Sequence, residues 1–168
     1  MLAATAHAGP EKYAHPDLLE VLRRIRVVTA AGQTAVVAMD LDDTMFLTNH
    51  RQWLIFRDAA KYPPFLTAFP EDIAKLRTVT PDLIAYRHSV TYKSLAIENP
   101  VFISILEDFW AERFFSNEYC SKDPAVAGAA EYAQEVHRAG AHLVYLTGRD
   151  AARMELGTIE SLERVGAP

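Results

Sequence analysis

The sequence predicts an α/β fold in which a parallel β-sheet is interrupted by a block of helices. Three observations carry that expectation. Ala35-Val36-Val37-Ala38-Met39 is an apolar, valine-rich run too short for a stable helix, and it ends in Asp40, Asp42, Asp43 and Thr44. A second run, His142-Leu143-Val144-Tyr145-Leu146, ends in Thr147-Gly148-Arg149-Asp150. Between the two, helix signals dominate and no strand of comparable quality occurs. Strand, helical insertion, helix and strand form the βαβ grammar of a parallel sheet. The first run is expected to be a buried strand whose acids fall at the carboxyl end, where open α/β sheets bind ligands.

The 168 residues suffice for one domain with an insertion, and 50% hydrophobic against 23% charged residues is ordinary globular material. A net charge of -5 gives no global reason to bind nucleic acid or an acidic membrane surface, so neither is expected as a partner. The single cysteine, Cys120, cannot form an internal disulfide, and no Cys/His spacing suits structural zinc. A cytoplasmic location is the simplest expectation. Met1 to Pro10 lacks the basic and long apolar regions of a signal peptide, and no apolar stretch is long enough to span a bilayer.

Taken in order, Pro16-Asp17 opens a helix with Leu18, Val21, Leu22 and Ile25 on one face, which Gly32 ends. His50 to Lys61 carries Trp53, Phe56 and Ala60 at helical spacing before Pro63-Pro64. Pro70 to Val79 repeats the pattern with Ile73, Leu76 and Val79. Thr80-Pro81 and Asn99-Pro100 each offer an N-cap followed by proline at the first helical position. The second leads a wide apolar stripe, Val101, Phe102, Ile105, Leu106, Phe109 and Trp110, that reads as core. Asp123-Pro124 is expected to begin a helix with small residues at Val126, Ala129, Ala130, Ala133 and Val136, stopped by Gly140. A last helix is expected from about Thr158, with Ile159, Leu162 and Val165 as its apolar positions and Gly166 as its stop.

At a strand end, Asp40 and Asp42 crowd two carboxylates if the chain curls after Asp40, and a divalent cation relieves their repulsion. Oxygen-only ligands suit Mg²⁺, which keeps waters and shares phosphate oxygens. Thr147 and the Gly148 N–H offer donors for a phosphate oxygen, and glycine allows close approach. Together the two stretches suggest phosphoryl chemistry. Asp43 reads as a loop residue, while Arg149 fits either a substrate contact or an ion pair. Polar residues of the insertion, among them His50, His88, Lys61, Arg87 and Lys93, carry no assignment, and Cys120 lacks an evident base partner.

Asp40-x-Asp42-x-Thr44 after an apolar strand resembles the first motif of the haloacid dehalogenase-like (HAD) hydrolases, and Val144-Tyr145-Leu146-Thr147-Gly148-Arg149 resembles their second. The interval between them matches in size the family's helical cap. The resemblance implies a HAD-like Rossmannoid parallel sheet from residues 1–48 and 121–168, with a helical cap at 49–120. It further implies an Mg²⁺-dependent phosphatase acting on a small phosphorylated substrate, with Asp40 as nucleophile and metal ligand. Asp42 would be general acid and base, its main-chain carbonyl also meeting the metal, and Thr44 would orient that acid. Thr147 and Gly148 would hold the transferring phosphoryl group, with Arg149 at the same site.

The family also uses a lysine after its second motif and acids after a later strand, whereas no lysine follows Thr147 here. The chain is therefore expected to be the N-terminal part of a longer enzyme, with an open sheet edge that would leave it unstable, swapped or a homodimer. A non-catalytic phosphate- or metal-binding module on the same fold is the main alternative. A phospho-acceptor resembling response-regulator receivers is a weaker one, since those domains place the acidic pair and the acceptor on different strands.

Overall fold

In the computed structural model, which describes residues 15–168, the elements run α1 (Pro16–Ala30), β1 (Ala35–Asp40), α2 (Thr48–Ala59), α3 (Pro63–Ala68) and α4 (Pro70–Leu76). A short 3-10 turn (Pro81–Leu83) follows, then α5 (His88–Ser94), α6 (Pro100–Phe114), α7 (Asn117–Cys120), α8 (Ala129–Arg138), β2 (Ala141–Leu146) and α9 (Ala151–Arg164). This is a helix-rich mixed α/β chain with a two-stranded parallel sheet among the described residues. The expectation for Met1 to Pro10 lies outside the described residues. No helix among them is long and apolar enough to cross a membrane.

Contacts divide the chain into two units. The first, a sheet unit, contains residues 15–45, Ala125–Thr147 and Val165–Pro168. In it β1 pairs in parallel with β2, Ala35 beside Ala141 and Asp40 beside Leu146, so both strands end at the same level. Helix α1 begins with proline at its first turn and buries Leu22 and Ile25. Helix α8 buries Ala130, Tyr132, Ala133 and Val136, and the Tyr132 hydroxyl donates to the Leu18 carbonyl at 2.9 Å, tying α8 to α1. Val37, Met39 and Leu143 pack against this core.

The expectation of a buried β1 is corrected here. Side chains alternate between the two faces of a strand, and the helical layer covers only the face of Ala35, Val37 and Met39. On the other face Val36 is 64% exposed and Leu146 66%. A second correction concerns α8, which starts at Ala129 rather than Asp123. Gly128, at φ +84°, turns the chain into it, and before it the Val126 N–H donates to the Met45 carbonyl at 2.9 Å, outside any helix.

The second unit, Phe46–Pro124 with Gly148–Arg164, is helical. Its core gathers Ile55, Phe56, Phe65, Ile73, Leu76, Tyr92, Phe102, Leu106 and Phe109. Asn99 caps α6 as expected, accepting from the Val101 and Phe102 N–H groups at 3.1 and 3.3 Å and donating to the buried Asp72 carboxylate at 3.0 Å. The buried stripe of α6 is narrower than its sequence suggests, since Val101 is 59% exposed. Thr80 forms no side-chain cap, and Pro81 leads only the 3-10 turn. Pro63 opens α3 as well as following α2.

Helix α9 starts at Ala151, several residues before its expected beginning, and buries Met154, Gly157 and Ser161, while Ile159 is 45% exposed. The reason is close packing on α7. The Gly157 N–H donates to the Asn117 side-chain oxygen at 2.8 Å, and the Ser161 hydroxyl donates to the Cys120 carbonyl at 2.9 Å. A Cβ on Gly157 would collide with the Asn117 main chain and the Cys120 sulfur. Residues 148–164, expected in the core with the rest of 121–168, thus group with the helical block.

Candidate functional site

Past the end of β1 the chain does curl. Fully buried Leu41 and Met45 pin the turn, and the Met45 N–H donates to the Leu41 carbonyl at 2.8 Å. Asp43 takes a left-handed conformation at φ +57°, which aspartate tolerates better than most residues. The tight turn brings Thr44 back over the strand end, where its hydroxyl donates to Asp40 Oδ2 at 3.0 Å. Thr44 therefore orients the Asp40 carboxylate. Asp40 is exposed, whereas Asp42 is half-buried.

The sheet register carries Thr147 to the same end. Asp40 pairs with Leu146, so the half-buried Thr147 follows the strand end beside the Asp40 turn. Asp40, Asp42, Thr44 and Thr147 all belong to the sheet unit, and Gly148 and Arg149 belong to the helical unit. Gly148 is exposed, with open space where a Cβ would stand. A cleft of about 530 Å³ adjoins Asp40 and Thr44, walled by Leu18, Val21, Met39 and Tyr132.

Sequence reasoning missed the charged cluster around Asp123. Arg51 donates through Nε to Asp123 Oδ1 at 2.9 Å and through Nη2 to Oδ2, and both side chains are fully buried. Arg149 Nη2 donates to Asp123 Oδ2 at 2.9 Å. The sole advance signal was the pairing of an Asp-Pro turn with an arginine at the second strand's exit.

Other candidates resolve into internal structure. His88 lies between Glu107, at 3.0 Å from Nδ1, and Gln52, at 2.7 Å from Nε2, and the Tyr92 hydroxyl donates to Glu107 at 2.7 Å. Burial, then that hydrogen bond, push the Tyr92 phenol far up. Cys120 is fully buried, and burial raises its thiol, so it is not poised as a nucleophile.

Among the described residues no three His, Cys, Asp or Glu side chains converge to hold a metal. Mg²⁺ commonly takes one or two protein carboxylates, with water and substrate phosphate completing its shell. Asp40 and Asp42 are two carboxylates, the number and type of protein donor that Mg²⁺ commonly takes. No family model, curated protein or solved structure matches this chain.

Proposed function

We propose that the chain is an Mg²⁺-dependent phosphomonoester hydrolase of HAD-like type, using Asp40 as the nucleophile. The observation that supports this best is the Thr44 hydroxyl on Asp40 Oδ2 at an exposed strand end. That bond orients the carboxylate while leaving it open to a small phosphorylated substrate, and Thr147 follows the neighbouring strand at the same level.

In this proposal an Asp40 oxygen attacks phosphorus, the ester P–O bond breaks, and Asp42 gives a proton to the departing alkoxide. Asp42 then takes a proton from water, whose oxygen attacks phosphorus and releases phosphate, restoring the Asp40 carboxylate. Thr147 donates to a phosphoryl oxygen. Asp40 and Asp42 would hold Mg²⁺, whose positive charge would offset the negative charge of the phosphoryl group.

The alternative is a phosphate- or metal-binding module on the same fold without turnover. Hydrolysis of p-nitrophenyl phosphate with and without Mg²⁺ separates the two. The proposal expects slow, Mg²⁺-dependent turnover that Asp40→Asn brings to background. Turnover unchanged in Asp40→Asn, or in excess EDTA, overturns it.

A further inference from the structure

The cleft of about 530 Å³ beside Asp40 lies wholly within the sheet unit, and the phosphoryl chemistry proposed above leaves it without a role. Its size falls within the range of about 300–1,000 Å³ usual for small-molecule sites. The walls are mainly apolar, with Leu18 and Val21 from α1, Met39 from β1, and Ala129 and Tyr132 from α8. Several of the polar groups that border it are already engaged. The Thr44 hydroxyl donates to Asp40 Oδ2 at 3.0 Å, and the Tyr132 hydroxyl donates to the Leu18 carbonyl at 2.9 Å. The Val126 and Ala129 N–H groups donate to the Met45 and Val126 carbonyls at 2.9 and 3.1 Å. His15, mostly exposed, has Nδ1 3.4 Å from the Asp17 carboxylate.

We propose that this cleft takes the carbon skeleton of the substrate, so that the chain acts on phosphomonoesters of apolar alcohols, alkyl or aryl, in preference to phosphorylated sugars and other polyols. The assignment rests on the phosphatase proposal for placing the phosphoryl group at Asp40. The carboxylate that attacks phosphorus there borders the cleft, so an apolar surface lies within reach of the ester substituent. Each methylene moved from water onto Leu18, Val21 and Met39 gains hydrophobic free energy. Tyr132 adds an aromatic wall whose hydroxyl is tied back to α1. A sugar in the same place would exchange water for walls whose donors are committed elsewhere, and a buried hydroxyl without a partner is costly.

The test is phosphate release by the full chain, in Mg²⁺, from ethyl, propyl and hexyl phosphate and from glycerol phosphate. The alkyl esters share nearly the same leaving-group basicity, so differences in kcat/KM among them report how the substituent is held. The value should rise about threefold for each added methylene, and glycerol phosphate should fall about tenfold below propyl phosphate. Ala129→Leu, which fills the cleft from α8, should cut the hexyl-to-ethyl ratio about tenfold. Val21→Thr, which puts a hydroxyl in the α1 wall at nearly constant volume, should cut it about threefold. The ratio is taken within each protein, so a partial loss of folded chain cancels. Equal values along the alkyl series, or glycerol phosphate matching propyl phosphate, would overturn the cleft assignment and leave the phosphatase proposal standing. A ratio unchanged in either folded variant would do the same. Turnover of none of the esters by the unaltered chain would overturn the phosphatase proposal, and calorimetry with hexyl phosphate then decides the cleft separately. Binding that Ala129→Leu weakens would uphold the cleft as an alkyl site, and no binding would overturn both.

Discussion

Asp40 stands exposed at the carboxyl end of β1 with the Thr44 hydroxyl 3.0 Å from one oxygen, whereas Asp123 is fully buried between the guanidiniums of Arg51 and Arg149. The same side chain thus serves two purposes in one chain. Around Asp123, charge is neutralised by partners that cannot leave, so the carboxylate ties together segments far apart in sequence. Around Asp40, one hydroxyl fixes the orientation and solvent reaches the rest, so the carboxylate remains available to an incoming ligand. Burial and the number of permanent partners distinguish the two.

That contrast breaks most visibly in stability. Asp123→Asn or Arg51→Met should cost about 3–5 kcal/mol, because each leaves a buried charge uncompensated. Asp40→Asn should change stability by about 1 kcal/mol or less, since only an exposed hydrogen bond alters. Urea denaturation of the three variants checks both values. Similar losses for Asp40 and Asp123 would erase the distinction.

Gly157→Ala is expected next in size. A methyl there must push α9 away from α7, costing about 1–3 kcal/mol by overpacking, and a chemical melt reads it directly. Asn99→Ala should follow at about 1 kcal/mol from the lost helix cap, a change visible in the same assay. The smallest effect concerns a surface pair on α1. Hydrogen bonding from Arg23, at 2.6 and 2.8 Å, holds the Glu20 carboxyl down at about 2. With the folded value below the ordinary 4.5, this pair stabilises above pH 4.5 and its contribution fades as pH falls toward about 2. A carboxyl NMR titration should follow that depressed midpoint, and added salt should move it back toward 4.5.

The parallel strand pair was legible because apolar runs ending in polar turns carry their own signal, and α6 because Asn99-Pro100 is a local cap. What stayed hidden is long-range. Arg51 and Asp123 are 72 positions apart, and no periodicity marks two charged residues destined for burial together. Arg149 read as a possible substrate contact for the same reason, its partner being equally remote. The buried face of α9 escaped because glycine and serine, not the apolar Ile159, meet α7, where closeness matters more than hydrophobicity. The exposure of Val36 and Leu146 could not be read from composition either, since an apolar strand looks alike whether one face or both are covered.

The most direct test of Asp40 as the reactive carboxylate is acid-quenched peptide mass spectrometry after incubating the chain with p-nitrophenyl phosphate and Mg²⁺. The account predicts a phosphoryl adduct on the peptide carrying Asp40 that is absent in Asp40→Asn. An adduct on another residue, or turnover that persists in Asp40→Asn without one, would contradict it.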